Sequence, residues 1–301
     1  MRILVILNGS KLRRWNAALP ERLRLLGAER GIMPVIAISR DLAHVDSIIG
    51  KAIEAGFDTI VSCGGDGTLH HVVNHPLIHR AAVSMIPAGT INAFLRSEGA
   101  DVRHPAETFR QLLEGRVVEG RVGLLNGRRF ACFASWGYDA RVVHKNPSAL
   151  KRRLRAGSYV VTGIREIAAG RRTAVPGRVR FGPRGAACLP ATSVVISKIR
   201  NYAGFAAFDA SAESDEFEGL YLRDDSFPGL QTLYGSIVAR GVSGRRIAAL
   251  PPARAVAPFT EAHWRSPRPT HVQLDGEAIE FPDTRRLHVK IDPIPQRYLL
   301  P

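Results

Sequence analysis

A glycine-rich segment between a buried strand and a helix restricts the fold of this chain more than any other feature. Residues 64–68 read Gly-Gly-Asp-Gly-Thr, directly after the apolar run at 59–63 and before a helical stretch at 69–73. Because glycine has no Cβ, such a loop can approach a ligand closely and adopt positive φ. Its N–H groups and the helix dipole favour an anion. The segment therefore predicts a phosphate-binding loop in an α/β sheet.

Asp66 places a negative charge in this loop, which is unusual where an anion binds. A Mg²⁺ ion carried by a nucleotide would sit between the carboxylate and the phosphates. We therefore interpret the loop as a Mg-nucleotide site. The alternative is a tight glycine turn with an aspartate that caps the following helix.

A second strand–turn–helix junction follows. Residues 82–86 form a short apolar run, and residues 87–94 read Pro-Ala-Gly-Thr-Ile-Asn-Ala-Phe. In an alternating β/α pattern, both loops would lie at the carboxyl edge of one parallel sheet, where open α/β sheets bind ligands.

The first part of the chain alternates strand and helix patterns. Strands are predicted at 3–7, 33–39, 59–63 and 82–86, and helices at 17–29, 42–55 and 104–115. Asp41 is the predicted N-cap of the second helix. The alternation favours a doubly wound parallel sheet.

After about residue 116 short strand patterns dominate, at 130–135, 178–181, 193–199, 220–223 and 270–274. Two helical inserts are predicted, at 159–168 and 230–239. Runs of strands with turn signals indicate an antiparallel β domain.

Lys and Arg number 42 against 27 Asp and Glu, a net charge of +15 that favours anionic partners. An arginine-rich proteome would give the same excess. No nucleic-acid motif is visible and aromatics make up 7%, so no nucleic-acid partner is expected. Basic residues at 151–153, 155 and 171–172 flank the apolar segment 159–167. This pattern predicts docking to an anionic membrane surface, with a solvated charged face as the alternative.

The three cysteines predict a reducing compartment. Cys63, Cys132 and Cys188 are widely spaced and adjoin apolar segments, so we expect buried thiols without disulfides. The first apolar run is too short for a signal peptide, and none approaches the roughly 20 residues that span a bilayer. The prediction is a cytoplasmic protein with peripheral contact at the inner membrane face.

The order and spacing of several motifs resemble the diacylglycerol kinase catalytic-domain family, which includes bacterial lipid kinases and the sphingosine and ceramide kinases. Besides the two loops, the motifs are Ser-Trp-Gly-Tyr-Asp-Ala at 135–140, Asn-Tyr-Ala-Gly at 201–204, Glu-Gly-Leu at 218–220 and Leu-Asp-Gly-Glu at 274–277. The resemblance implies a NAD-kinase-like fold. An α/β N-terminal nucleotide-binding domain with a parallel sheet (1–117) precedes a mainly β, sandwich-like domain for the lipid acceptor (118–285). A C-terminal segment (286–301) returns to the first domain.

The resemblance also implies site residues, with ATP and Mg²⁺ as cofactors. Glu277 matches the general base, and Asp66 would engage Mg²⁺, so both are expected to be catalytic. Glu218 and Leu220 match a metal site. The residues implied for ATP are Asn8, Ser39, Gly64, Gly65, Asp66, Gly67, Thr68 and Thr90. An exposed Asp-Gly hairpin with an incidental glutamate is the alternative for Glu277.

At several positions this chain departs from the family pattern and lacks acidic residues that the family has around its metal. Leu69, His70 and His71 replace a stretch that usually holds Asn-Glu, and Ala93 and Arg121 stand where the family has aspartates. The leading hypothesis is an ATP-dependent lipid kinase that transfers the γ-phosphate to a hydroxyl of a diacylglycerol- or sphingoid-like lipid. The alternatives are a NAD-kinase-like kinase of a soluble acceptor and a catalytically weak nucleotide-binding regulator. A homodimer is compatible with the sequence, which does not set the oligomeric state.

Overall fold

The structure is a computed structural model that describes residues 1–9, 18–147, 157–168, 175–202, 205–206, 208–223 and 253–301. The chain divides into two compact units. The first comprises Met1–Val122 together with Pro293–Pro301, and the second comprises Gly123–Asp292.

The strands of the described residues, in chain order, are β1 (Ile3–Asn8), β2 (Val35–Ser39), β3 (Thr59–Gly64), β4 (Ala82–Pro87), β5 (Arg116–Gly120), β6 (Gly123–Leu125), β7 (Arg128–Phe130), β8 (Phe133–Trp136), β9 (Gly177–Phe181), β10 (Cys188–Ala191), β11 (Ser193–Ser197), β12 (Asn201–Tyr202), β13 (Phe205–Ala206), β14 (Phe217–Leu222), β15 (Ala253–Phe259), β16 (Glu261–Arg265), β17 (Val272–Leu274), β18 (Glu277–Ile279), β19 (Arg286–Ile291) and β20 (Gln296–Leu300). The helices are α1 (Leu19–Ala28), α2 (Leu42–Glu54), α3 (Asp66–Val73), α4 (Ala93–Ser97), α5 (Pro105–Glu114), α6 (Tyr138–Lys145) and α7 (Gly157–Ala168), with a 3₁₀ turn at Ile78–Arg80.

The first unit contains a six-stranded sheet in the order β2-β1-β3-β4-β20-β5. All neighbours are parallel except β5, which runs antiparallel to β20 at one edge. Apolar side chains of β1, β3 and β4 pack with those of α1 and α5 in a buried core. The predicted parallel α/β domain is confirmed.

Helix α2 begins where its sequence indicates. Asp41 has extended backbone geometry, and its Oδ1 accepts the N–H of His44 at 2.8 Å. This bond satisfies one of the N–H groups that a helix start leaves without an intrahelical partner. Val45, Ile49 and Ile53 recur at helical spacing and are buried. The predicted N-cap is confirmed.

The second unit is a β-sandwich of two antiparallel six-stranded sheets. The first sheet has the order β10-β9-β16-β19-β6-β7 and the second β15-β14-β11-β8-β17-β18. Inward side chains of both sheets form one core, in which Trp136 of β8 and Trp264 of β16 lie with ring centroids 5.9 Å apart. The expected mainly β, sandwich-like domain is confirmed.

The structure corrects two details of the sequence interpretation. The apolar run 130–135 is not one strand, because β7 ends at Phe130 and β8 begins at Phe133 in the other sheet. Cys188 is exposed rather than buried, because β10 is an edge strand whose side chains alternate between solvent and core. The helix predicted at 230–239 lies outside the described residues.

Candidate functional site

The residues implied for nucleotide binding gather at the carboxyl edge of the first unit's sheet. Asn8 of β1 pairs in register with Ser39 of β2, and Gly64 of β3 pairs with Pro87 of β4. Ser39 is buried, and its hydroxyl donates to the carbonyl of Leu7 at 3.3 Å. The carboxyl ends of β1 to β4 are therefore aligned side by side at one edge of the sheet. The two glycine-rich loops begin there, at the ends of β3 and β4.

The two loops approach each other through Gly65 and Gly89. A Cβ on Gly65 would lie 2.8 Å from the Cα of Gly89, and a Cβ on Gly89 would lie 2.5 Å from the Cα of Gly65. Real Cβ atoms do not make contacts this short, so both positions require glycine. The two loops thus meet backbone to backbone at the sheet edge, and we call this junction the glycine cradle.

Asp66 joins the first loop to the second. Its Oδ2 accepts the N–H of Ala93 at 3.0 Å, and its Oδ1 accepts the N–H of Phe94 at 3.3 Å. The carboxylate therefore caps α4, the helix of the second loop, rather than its own helix. Engagement of Mg²⁺ by Asp66 stays a prediction.

Asn92 is a site residue that the sequence interpretation missed. Its backbone is left-handed, with φ of 53°, and its Oδ1 accepts the N–H of Gly89 at 3.0 Å. Asparagine tolerates this conformation better than most residues, and its position after Gly-Thr-Ile was the available signal. Asn92 thus fixes the shape of the second loop.

Thr68 and Thr90 lie half-buried on the two loops. A Cβ on Gly64 would lie 2.3 Å from the Thr68 hydroxyl oxygen, so this third glycine also permits a close contact. Gly67 lies in the first turn of α3. No described side chain caps α3, and the first N–H groups of a helix lack intrahelical partners. This arrangement suits the phosphates of a nucleotide.

The departures from the family's acidic residues have definite places in the first unit. Ala93 is fully buried at the start of α4. The Arg121 guanidinium donates to the carbonyl of Pro293. His71 Nε2 lies 2.9 Å from a carboxylate oxygen of Asp46, and His70 is buried. The two histidines therefore lie in different environments, one beside the Asp46 carboxylate and one in the protein interior, and do not face one ligand.

Glu277 lies in the second unit, directly after a two-residue hairpin turn. Leu274 pairs with Glu277, and Asp275 and Gly276 between them have φ of 52° and 83°. Positive φ at both central residues is the type I′ geometry that the Asp-Gly pair favours. The Glu277 side chain is exposed at the start of β18. The turn therefore presents this carboxylate to solvent.

Asp275, two residues before Glu277 in the same motif, has a structural role. It is buried, and its carboxylate accepts the N–H groups of Ala131, Cys132 and Phe133 at 3.0, 2.7 and 3.0 Å. Ala131 and Cys132 lie in the break between β7 and β8, and Phe133 is the first residue of β8. The carboxylate takes the place of a strand partner there, which explains why the apolar run is interrupted.

The residues implied for a metal lie on β14 of the second unit. Glu218 Oε2 accepts the N–H of Asp209 at 2.9 Å. Leu220 is buried and pairs with Val195 of β11 and Ala255 of β15, so both edges of its strand are paired. Among the described residues, Glu218 is not part of a group of three metal-ligating side chains. Metal binding by these two residues stays a prediction.

A buried acid lies in the Ser-Trp-Gly-Tyr-Asp-Ala stretch. Asp139 accepts hydrogen bonds from the hydroxyls of Ser135 and Tyr202 and from Gln273 Nε2, the last at 3.3 Å. Burial raises the pKa of the Asp139 carboxyl, and these three hydrogen bonds oppose that shift. The sequence interpretation took this stretch only as a family motif and did not predict the cluster.

Two predicted features lie outside the described residues: the basic residues at 151–153, 155 and 171–172, and Ala203 with Gly204 of the Asn-Tyr-Ala-Gly motif. In the described part of the chain, no helix is long and apolar enough to cross a membrane.

Comparison with known proteins agrees with the motifs. Residues 2–125 match the family model of the diacylglycerol kinase catalytic domain. A probable lipid kinase YegS-like of Pseudomonas aeruginosa is 34% identical over 119 residues, which are 39% of each chain. A diacylglycerol kinase of Bacillus subtilis is 34% identical over 144 residues, which are 44% of this chain and 46% of the relative. The match spans less than half the length of either relative.

The fold of the whole chain also has solved counterparts. The crystal structure of a putative diacylglycerol kinase from Bacillus anthracis superposes with a TM-score of 0.73, covering 100% of this chain and 95% of the other. At 17% identity this likeness shows the fold alone. The resemblance to the diacylglycerol kinase catalytic-domain family is confirmed for residues 2–125, and for the rest of the chain the solved structures show the fold alone.

Proposed function

We propose that this chain is an ATP-dependent lipid kinase, which transfers the γ-phosphate of ATP to a hydroxyl of a diacylglycerol- or sphingoid-like lipid. The acceptor would be reached at an anionic membrane surface from the cytoplasmic side, which fits the net charge of +15. Relatives of the matched segment bear the names lipid kinase and diacylglycerol kinase, which supports this reaction class.

The close approach of Gly65 to Gly89 carries the proposal. The backbones of the two loops nearly touch, and any side chain at either position would clash with the Cα of the other glycine. Glycine-rich loops that begin at the ends of neighbouring parallel strands are the usual arrangement for binding phosphates. Asp66 and Asn92 hold the second loop in place through N–H groups of Ala93, Phe94 and Gly89. Such fixed loops position phosphates before the reaction begins, which is the main source of phosphoryl-transfer catalysis.

The residues have separate parts in the proposed transfer. Asn8, Ser39, residues 64–68 and Thr90 would hold the nucleotide, and Asp66 would engage its Mg²⁺. Glu218 and Leu220 are the residues proposed for metal binding in the second unit. Mg²⁺ would neutralise charge on the phosphates. Glu277 would accept the proton of the lipid hydroxyl while its oxygen bonds to phosphorus and the bond to the ADP oxygen breaks. Its carboxylate is exposed directly after the turn at Asp275 and Gly276, so it is accessible to an acceptor hydroxyl.

A catalytically weak nucleotide-binding regulator is the second candidate. The observation that favours it is the neutral and basic character of two positions in the first unit. Ala93 is buried, and Arg121 donates to a backbone carbonyl instead of presenting a carboxylate. A thinner acidic network would weaken metal orientation while the glycine cradle still binds nucleotide. A kinase of a soluble acceptor, with NAD as the obvious case, remains the third.

The test is a transfer assay with γ-labelled ATP and Mg²⁺ against diacylglycerol, a sphingoid base, ceramide and NAD. Label in a lipid, with Glu277→Gln as the inactive control, is the expected result. Label in NAD alone would replace the proposal with the soluble-acceptor kinase. Nucleotide binding measured by calorimetry without transfer to any acceptor would replace it with the regulator.

A further inference from the structure

The outer face of the first sandwich sheet carries a group of side chains unrelated to the kinase motifs. Ala262 and Trp264 of β16, like Leu287 and Val289 of β19, point into the core. Because successive strand side chains alternate between faces, their neighbours point away from it. The outward set on these two strands includes Glu261, His263 and His288, each half-buried.

Strand register brings these three side chains together. His263 lies directly opposite His288, and their rings stack with centroids 4.3 Å apart and planes 11° apart. A carboxylate oxygen of Glu261 is 3.6 Å from His263 Nε2 and 3.7 Å from His288 Nε2. One ligand atom from each residue lies within 4.8 Å of the other two.

The polar atoms of this group are not satisfied by one another. His288 Nε2 is shielded from solvent and has no hydrogen-bond partner among the described residues. The carboxylate at 3.7 Å is too distant for a hydrogen bond. A shielded nitrogen without a partner costs free energy unless a ligand occupies the gap. The spacing of these atoms suits an ion between them better than direct hydrogen bonds.

We propose that Glu261, His263 and His288 bind one divalent transition-metal ion of the zinc type. Imidazole and carboxylate ligands suit Zn²⁺, Co²⁺, Ni²⁺ and Cu²⁺, whereas Mg²⁺ prefers oxygen ligands alone. Tetrahedral zinc with ligand bonds of about 2.1 Å holds its ligand atoms about 3.4 Å apart, close to the two carboxylate–imidazole separations. The stacked rings turn about χ2 on binding, because a metal lies near the plane of each imidazole that holds it.

The surroundings of the group leave one side of such an ion open. His263 adjoins a groove of about 780 Å³, whose wall includes Arg178, Arg180 and Arg265. Three protein ligands leave a fourth position for water or an anion, and these arginines favour an anion there.

The test is metal titration of the full chain after removal of any affinity tag and treatment with chelator. We expect one equivalent of Zn²⁺ by calorimetry and visible d–d bands on Co²⁺ addition, neither reproduced by Mg²⁺. His263→Gln and His288→Gln should each weaken Zn²⁺ binding at least about tenfold, because loss of a partner that only supports a ligand already has an effect of that size. His104→Gln is the matched control, because His104 is exposed beside a single carboxylate of Asp101.

Thermal unfolding provides the second readout. Zn²⁺ should raise the melting temperature of the wild type and of His104→Gln, but not that of Glu261→Gln, which changes little volume at a half-exposed position. Absence of binding to the wild type, or equal binding by the wild type and all three site variants, would overturn the site.

Discussion

Asp275 holds the backbone of Cys132 across 143 residues of sequence, with its Oδ1 accepting the Cys132 N–H at 2.7 Å. The same carboxylate accepts the flanking N–H groups of Ala131 and Phe133. One side chain of the Leu-Asp-Gly-Glu motif thus fixes the point where the chain crosses from one sheet of the sandwich to the other.

Asp275→Asn should destabilise the second unit by about 2–3 kcal/mol, because a buried charged acceptor is replaced by an amide whose NH₂ faces donors. Calorimetric unfolding measures the effect. Asp283→Asn is the control, since Asp283 binds only Arg285 in the described structure and is surface-exposed. Similar stabilities of the two variants would contradict the anchoring part of Asp275.

Glu277→Gln should leave stability within about 0.5 kcal/mol of the wild type, because the side chain is exposed. Phosphate transfer should fall about 10²–10⁴-fold, the usual cost of removing a general base. Labelled-ATP turnover and calorimetric ATP binding, compared in the same preparation, separate the two effects. Transfer at the wild-type rate would exclude Glu277 as the base.

Asp66→Asn should lower both transfer and stability. The amide keeps one acceptor oxygen for the N–H groups of Ala93 and Phe94 but loses the charge, a loss of about 1–2 kcal/mol. Asp46→Asn is the control, because Asp46 contacts only the partly exposed His71 among the interactions described above. If Asp66→Asn unfolds at the wild-type temperature and transfers phosphate at the wild-type rate, Asp66 neither holds the second loop in place nor engages Mg²⁺.

The stability difference between wild type and Asp139→Asn should change with pH. Burial raises the pKa of Asp139 in the folded chain, so folded protein holds this proton more tightly than unfolded protein does. Its contribution is therefore present at low pH and declines as pH rises through the folded-state pKa. Between about pH 4 and pH 8, the melting temperature of the wild type should fall relative to that of Asp139→Asn as the pH rises.

Asp283 supplies the opposite sign for comparison. Hydrogen bonds from Arg285 lower the pKa of Asp283, so its contribution appears above the ordinary aspartate range and declines on acidification. A difference curve for Asp139→Asn with the same slope as that for Asp283→Asn would contradict the buried-acid assignment.

Thiol labelling should distinguish one cysteine from the other two. Cys188 is exposed, whereas Cys63 and Cys132 are buried, and burial raises the pKa of Cys63 far above its usual range. We expect one fast-reacting thiol per native chain and three after denaturation. Cys188→Ser should remove the fast phase, and a remaining fast phase would show that a core thiol is accessible.

The sequence predicted local features well where local physics determines them. The helical spacing of Val45, Ile49 and Ile53 and the cap by Asp41 are properties of neighbouring residues, and α2 has both. The parallel sheet followed from alternating elements and the antiparallel β domain from runs of short strands, whereas the sandwich form was implied by the family resemblance. The two glycine loops were visible because close backbone approach leaves a compositional trace.

Features created by distant contacts were not predictable in this way. The apolar run around Cys132 carries no sign of the break that Asp275 imposes from the other end of the domain. The opposition of His263 and His288 depends on the register of two strands, which single-strand periodicity does not give. Exposure of Cys188 follows from the edge position of β10, which is a property of the sheet order.

The position of β20 has a consequence for biosynthesis. This strand lies between β4 and β5 in the sheet, yet it is synthesised after the other strands of the described residues. Until translation passes Gln296, β4 and β5 lack the neighbour that separates them, and their edges are open to other chains. A nascent chain stalled within the sandwich is thus an aggregation-prone intermediate in which the nucleotide loops rest on an unfinished sheet. Limited proteolysis of released chains of increasing length should show protease resistance of the first unit only when the chain includes β20.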